Sequence, residues 1–364
     1  MEFTCTQENL YTCLQQITPI TGKNLSLPIL NNILIRAEKS GVMLFSTNLE
    51  LAVSTRLRAK VDAEGSVTVQ GKLFHDFIGL QAQGAIHFVV KDQDVHITSN
   101  TSKTVLKGIP VEEFPVIPTI EKRDNSLTIS AHDLRTCLEP VLPAIAPNDN
   151  RPELSGVYFQ CQPNKLTIAG TDSYRLAEYI LPIPHKATGS YILPLRSVQE
   201  VLRIFGEEEL TLTFTENQFL CTGADSELIS RLIEGSYPDY REIIPKEEKT
   251  TISIKRDECV QAVKSASLFC KTGINDIEIS TNKKDKLLVI VAANNQVGEN
   301  ISTLPAVITG DDASIVFNYR YVLDALSSIG TEDVILSLTD ANTTGVFRPS
   351  DTTPLIHLIM PIRQ

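Results

Sequence analysis

No stretch of this 364-residue sequence is long and apolar enough to cross a bilayer as a helix. The longest aliphatic run, residues 287–293, falls far short of the roughly 20 residues needed. No block of like charges occurs, and a 42% hydrophobic content excludes a disordered chain. Positive charge is in deficit: 33 Lys and Arg stand against 44 Asp and Glu, a formal net charge of −11. That balance excludes a polybasic coat for nucleic acid or for an anionic membrane. The opening Met1-Glu2-Phe3-Thr4 has neither the basic nor the apolar region of a secretion signal, so the expectation is a soluble, cytoplasmic protein.

Recognisable catalytic chemistry is missing too. There is no G-x-x-x-x-G-K-[ST] loop, no G-x-G-x-x-G after a strand, no G-x-S-x-G elbow and no H-E-x-x-H. The six histidines never fall three or four residues apart. The seven cysteines are scattered without a C-x-x-C pair, and are expected to be buried, reduced thiols rather than a disulfide framework or zinc site. The doublets Asp92/Asp94 and Asp311/Asp312 read as solvated turns, since a metal would need further oxygen ligands. No catalytic, cofactor or metal site is expected.

What the sequence does contain is repetition. Three segments open alike, with a short strand and a helical stretch: Phe3-Thr4-Cys5 to Leu10, Leu127-Thr128-Ile129 to Leu134, and Ile252-Ser253-Ile254 to Cys259. Their last positions lie 124 and 125 residues apart. Strands expected from Leu30 and Leu154 are again 124 apart, and one from Ile274 follows 120 later. Each segment has a second half on the same plan. Val67-Thr68-Val69-Gln70, Tyr191-Ile192-Leu193-Pro194 and Ile315-Val316-Phe317 each run straight into an amphipathic helix, and hairpin strands follow. Proline-rich joints at 106–118 and 232–245 are expected to run extended, because proline fixes φ and withholds a donor; the polar spacers 121–126 and 246–250 read as linkers. The expected organisation is three α+β domains, 1–120, 121–246 and 247–364, each of two strand-helix-strands units. A repeated scaffold more often shapes a surface or a ring than an active site.

Particular residues sharpen this. Leu27-Pro28-Ile29-Leu30-Asn31-Asn32, Thr171-Asp172-Ser173-Tyr174-Arg175-Leu176-Ala177, Tyr237-Pro238-Asp239-Tyr240-Arg241, Asn318 with Tyr321-Val322-Leu323-Asp324, and Met360-Pro361-Ile362-Arg363 occur in order inside a triplicated chain. Together they resemble the bacterial DNA sliding clamps, the beta subunit of the replicative DNA polymerase III. The resemblance implies a non-enzymatic processivity factor: a head-to-tail homodimer whose domains close into a ring, helices inside and sheets outside. The ring would encircle duplex DNA without sequence specificity. It would tether DNA polymerase III and other polymerases, and would be handled by a clamp loader. A repeat-built scaffold binding only protein is the alternative reading.

The resemblance also places residues. A cleft for a short, partly apolar partner peptide would use Leu154, Thr171, Tyr174, Arg175, Leu176, Pro238 and Ile243. The third repeat would add Asn318, Tyr321, Asn342, Thr344, Leu358, Ile359, Met360, Pro361, Ile362 and Arg363. DNA contacts would fall to Lys23, Lys72, Arg135, Arg151, Arg196 and Arg203, and the dimer interface to Lys72, Leu106 and Leu268. The expected helices carry seven basic residues against eight acidic ones, a near-neutral balance that suits weak, sliding contact.

Overall fold

A computed structural model describes residues 1–22, 27–146, 151–271 and 273–363. The first repeat runs β1 (Glu2–Thr6), α1 (Gln7–Ile17), β2 (Asn32–Glu38), β3 (Gly41–Thr47), β4 (Leu51–Leu57), β5 (Ala59–Ala63), β6 (Gly65–Gln70), α2 (Gly71–Gly79), β7 (Ala85–Lys91), β8 (Asp94–Thr98) and β9 (Lys103–Ile109). The second contains β10 (Ser126–Ser130), α3 (Ala131–Leu138), β11 (Gly156–Gln162), β12 (Lys165–Thr171), β13 (Arg175–Pro182), β14 (Gly189–Pro194), α4 (Leu195–Ile204), β15 (Glu209–Phe214), β16 (Gln218–Thr222) and β17 (Ser226–Arg231). The third has β18 (Thr250–Lys255), α5 (Arg256–Ser267), β19 (Asp276–Asn282), β20 (Leu287–Asn294), β21 (Gly298–Pro305), β22 (Val307–Gly310), β23 (Ser314–Asn318), α6 (Tyr319–Ser328), β24 (Asp333–Leu338), β25 (Gly345–Pro349) and β26 (Leu355–Ile359).

The strand-to-helix corners repeat down to single hydrogen bonds. The first amide of a helix lacks an intrahelical acceptor and needs one from outside. Gln7 N–H donates to Gly84 C=O, Ala131 to Glu208 and Arg256 to Glu332, each at 2.8–2.9 Å. Those acceptors are spaced 124 residues apart in the sequence, the same interval that separates the repeats. The second-half helices do likewise, Leu195 donating to Ser155 and Tyr319 to Asn275. Strand therefore turns directly into helix without needing a side-chain cap at every corner; Thr6 and Asn318 add one at α1 and α6.

Three expected strands begin two residues later than the pattern suggests; the one expected from Ile274 starts at Asp276, after a turn that holds Asn275 at φ +61°. Pro28–Asn31 and Pro152–Leu154 form 3-10 turns ahead of β2 and β11, because a proline with fixed φ favours the first position of a helical turn. The joints are likewise not extended throughout. Val111–Glu113 and Tyr240–Ile243 are 3-10 turns, and each joint turns one aromatic, Phe114 or Tyr240, into the interior. Thr250, at the end of the second spacer, is already the buried start of β18, its hydroxyl donating to Asp311 C=O at 2.8 Å.

The chain divides into two compact units, residues 1–132 with 196–232, and 133–195 with 233–364. Unit 1 contains one 13-stranded sheet in the order β10-β15-β16-β17-β4-β3-β2-β6-β9-β8-β7-β1-β5. Unit 2 contains a nine-stranded sheet, β14-β11-β12-β13-β26-β25-β24-β18-β22, and a four-stranded one, β21-β20-β19-β23. The middle repeat is thus shared: its first and last strands pair into unit 1, its inner four into unit 2. Alternating strands such as β19 and β24 turn their apolar residues to one buried face. In unit 1, Phe3 stacks on Phe88 at 4.5 Å with Phe74 edge-on to it. Six of the seven cysteines are buried and all are free thiols; burial pushes Cys5, Cys137, Cys161 and Cys259 up to about 12, which leaves them unreactive.

One buried titratable group gives unit 2 a pH response. His357 sits mid-β26, opposite Ala177 on one side and Phe347 on the other, with its Nε2 unpartnered. Burial first, and the Arg175 charge second, push its pKa down to about 4. The folded pKa lies below the unfolded value, so the unfolded chain binds the extra proton. Stability is therefore complete above about pH 6.5 and is lost as pH falls toward 4, by about 3 kcal/mol at most. Urea melts followed by circular dichroism across that window check this: His357→Gln should flatten the acid-side fall in midpoint, and an unchanged slope would refute it.

Candidate functional site

A groove of about 160 Å³ opens in unit 2 where the second joint crosses β12, β13 and β26. Its floor follows from strand register. Leu176 on β13 lies directly opposite Leu358 on β26, and both pack with Ala169, Val346 and Tyr240. The joint is held down by aromatics. Tyr158 stacks on Tyr237 at 4.5 Å, and Tyr240 stands edge-on to both. The Tyr240 hydroxyl donates a short hydrogen bond to the buried Glu178 carboxylate, and burial followed by that bond raises the tyrosine's pKa. Pro238, between the two anchored tyrosines, forms the wall.

The polar rim is built by the β12–β13 turn. Asp172 Oδ1 accepts from the Tyr174 and Arg175 amides, and Thr171 Oγ1 donates to Arg175 C=O at 2.6 Å. This puts Ser173 in the left-handed region, at φ +76°. Arg175 then reaches outward. Its Nε donates to Asp172 Oδ2 at 2.9 Å, its Nη1 to Asp324 on α6, and its guanidinium lies 4.4 Å over the Tyr321 ring. A single mostly buried cation thus ties the middle repeat to the third. Arg151 closes the lip through Glu153 at 2.9 Å and Ser173 at 3.1 Å.

Of the residues expected in the cleft, Leu154, Thr171, Arg175, Leu176, Pro238, Ile243, Thr344, Leu358 and Met360 line this groove. Tyr174 lies exposed beside it, its carbonyl accepting from the Met360 amide at 2.9 Å. Tyr321 acts through Arg175. Asn318 caps α6, and Asn342 belongs to a turn held by Asp340. Ile359 is buried, pointing to the opposite face of β26 from Leu358. Ile362 donates to Val316 C=O at 2.8 Å, which fixes the tail carrying Pro361 and Arg363 along β23. Tyr240, Asp239 and Ser173 line the groove without having been expected there, and so does Arg151, a residue expected at DNA. The signal for Tyr240 was available: an aromatic in the middle of a proline-bearing joint has nowhere apolar to go except beneath it.

The expected DNA-facing residues are distributed otherwise. Lys23 lies outside the described residues. Lys72 pairs with Asp76 at 2.6 Å and Arg135 with Glu139 at 2.9 Å. Arg203 donates to the Gln15 and Gln16 carbonyls, satisfying the C-terminal end of α1, and pairs with Glu200. Arg196 is exposed on α4 and makes no ion pair among the described residues. Of the expected interface residues, Leu268 is 76% exposed whereas Leu106 is only 7% exposed, its neighbour Val105 facing out instead. Chemically the groove is an apolar slot with a rim of fixed arginine–carboxylate pairs. Among the described residues no group of three or more His, Cys, Asp or Glu could hold a metal.

Comparison with known proteins accounts for the whole length. Residues 1–118, 128–239 and 241–363 match, in order, the N-terminal, central and C-terminal domains of the DNA polymerase III beta subunit. The chain is 28% identical to the beta sliding clamp of Halalkalibacterium halodurans, covering 100% of both chains, and 26% identical to that of Bacillus subtilis, again at 100% of both. The crystal structure of the Bacillus subtilis DNA polymerase sliding clamp is similar at TM-score 0.95 and 25% identity, covering 100% of this chain and 99% of that one. That of Pseudomonas aeruginosa gives 0.94 at 24% identity, with full coverage of both. The three-domain clamp fold, the ordered family matches and the full-length relatives agree: the chain belongs to the family of the DNA polymerase III beta subunit, the bacterial sliding clamps, and is a DNA polymerase processivity factor.

Proposed function

We infer that the chain forms a head-to-tail homodimer that closes into a ring around duplex DNA, and that the unit 2 groove tethers DNA polymerase III and other partners by a short peptide. The observation that carries this reading is the groove itself. An apolar slot rimmed by arginine–carboxylate pairs is built from the second joint and the last strand of a chain that the sliding-clamp family matches domain by domain. The matched spans support three consecutive domains, 1–120, 121–246 and 247–364. The role is tethering in the cytoplasm, without a catalytic step. A closed ring also requires a clamp loader to open it onto DNA. A scaffold that binds only protein finds no support in full-length relatives that are sliding clamps.

Two unfinished edges support the dimer. β9 pairs with β6 only through Gly108 and Ile109, which leaves its Lys103–Lys107 stretch open on that side. β21 is the outermost strand of its sheet, and exposes Ile301. Leu73, Leu80 and Val105 are exposed on the first surface; Leu268, Ile274 and Val297 on the second. Open edges flanked by apolar side chains are templates for strand addition, and a heterologous contact of this kind gives a ring when its rotation closes. The DNA contacts proposed, Lys72, Arg135, Arg151, Arg196, Arg203 and Lys23, suit weak holding. Most of those described already have carboxylate partners, so few phosphates are neutralised and the duplex is free to slide.

Three outcomes test this reading. Loaded onto nicked circular DNA, the protein should be retained through gel filtration and released when the circle is linearised; equal loss from both would remove the encircling ring. Leu268→Glu should give folded monomers by light scattering, and unchanged dimers would remove that interface. Ile243→Glu, a half-exposed change at the groove wall, should abolish stimulation of polymerase processivity while dimerisation and loading persist. Full stimulation would place the tether elsewhere.

A further inference from the structure

We propose that unit 1 carries a second peptide-binding groove at the first joint, one that takes an extended peptide with bulky apolar side chains beside a carboxylate. The nature of the occupant rests on the function proposed for the unit 2 groove; the site rests on observations in unit 1 alone. The chain builds the same pocket twice. Ala52 on β4 faces Ile229 on β17 just as Leu176 on β13 faces Leu358 on β26. Leu220 pairs with Ile229 as Val346 pairs with Leu358. Phe45 pairs with Ser54 as Ala169 pairs with Glu178; Ile120 from the first joint packs with Ala52, Leu220 and Ile229 as Tyr240 packs with Leu176, Val346 and Leu358, and Phe114 is buried beside them with Leu30 and Leu34.

The first copy is the roomier. Its cavity is about 410 Å³ against about 160 Å³, and at position 52 an alanine stands where the other copy has the Leu176 side chain. A second cavity of about 300 Å³ adjoins it and shares Ala52, Pro115, Val116, Pro118 and Ile229. Two adjoining depressions, divided by a proline-stiffened strap, match successive anchors of an extended peptide better than one compact small molecule. Val116 caps the strap between them at 94% exposure, an apolar side chain with no cover.

Charge supplies the selectivity. Arg36 lies on the wall with its guanidinium 5.3 Å over the Phe45 ring, and Arg123, bound to Glu227 at 3.2 Å, stands at the other side. Arg231 borders the adjoining depression. Around the two depressions Arg36, Arg123 and Arg231 stand against Glu227 and Glu50, a surplus of one positive charge on a chain of net charge −11, and Arg36 and Arg231 make no ion pair among the described residues. An exposed ion pair contributes little on its own, so the apolar pockets hold the peptide while Arg36 selects an acidic one.

The test uses the full chain carrying Ile243→Glu, which disables the unit 2 groove, and a phage-displayed library of random peptides. Selection should enrich peptides that place Asp or Glu next to bulky apolar residues. Synthetic versions should bind the Ile243→Glu chain and the parent equally. Arg36→Glu or Val116→Glu, both exposed sites, should each weaken binding by about tenfold or more with melting unchanged. Absence of enrichment, or affinities indifferent to both changes, overturns the proposal. A shift in oligomeric state on Val116→Glu also overturns it, by making this face a contact between copies. If no peptide selected on the parent loses affinity on Ile243→Glu, the unit 2 groove is defeated instead, whereas the unit 1 groove fails only on its own variants, which keeps the two readings separable.

Discussion

The antiparallel pairing of β13 with β26 is the constraint on which the groove depends. It brings a strand of the middle repeat against the last strand of the third, so that Leu176 and Leu358 meet face to face and the joint must cross above them. A slip of β26 by one residue would turn Leu358 to the opposite face and bring Ile359 into the slot. Arg175 reinforces the same register from the side, since its bonds to Asp172 and Asp324 require β13 and α6 to keep their spacing. The pairing of β4 with β17 imposes the equivalent geometry in unit 1.

Pockets form at these joints for a physical reason. Two strands joined edge to edge continue a sheet, but the connecting chain must leave the pleat to start the next repeat. Prolines at 115, 118 and 238 prevent it from pairing as another strand, so it lies over the sheet as a strap held by Phe114 or Tyr240. Packing beneath a strap fixed at one aromatic is necessarily incomplete. In unit 2 the gap is narrowed by Leu176, and the rim is made rigid by the Tyr240–Glu178 bond and the Tyr158–Tyr237 stack.

The repeat was legible in the sequence because it rests on local signals: strand alternation, amphipathic helices and joint prolines recur at a fixed interval. The corner hydrogen bonds, with acceptors at Gly84, Glu208 and Glu332, explain why that interval survives so little identity, because a backbone acceptor does not depend on side chain. What the pattern could not give was register. Leu358 and Ile359 look equivalent in a string of aliphatics, yet one lines the groove and the other is turned away. Nor could it separate the solvent-facing arginine Arg196 from Arg203, whose partners are carbonyls of α1, 187 and 188 residues distant in sequence. Contacts so remote carry no periodic trace. Leu106 illustrates the same limit, since strand alternation sends Val105 outward and Leu106 into the core.

The acidic total and the tethering role are compatible once charge is considered residue by residue. Lys72, Arg135, Arg151 and Arg203 are each paired with a carboxylate on their own helix or turn, so the field they offer a phosphate is that of a dipole rather than a free cation. Binding that releases few counterions is weak and short-ranged at physiological salt. A protein held on DNA by affinity would need those acids removed. One held by closure of a ring needs them kept, since each neutralised cation lowers the barrier between one phosphate register and the next. At the first-joint pocket the arrangement differs: Arg36 has no carboxylate partner among the described residues and stands beside an apolar cavity, so the acidic side chain of the proposed peptide meets a cation that no neighbouring acid already neutralises.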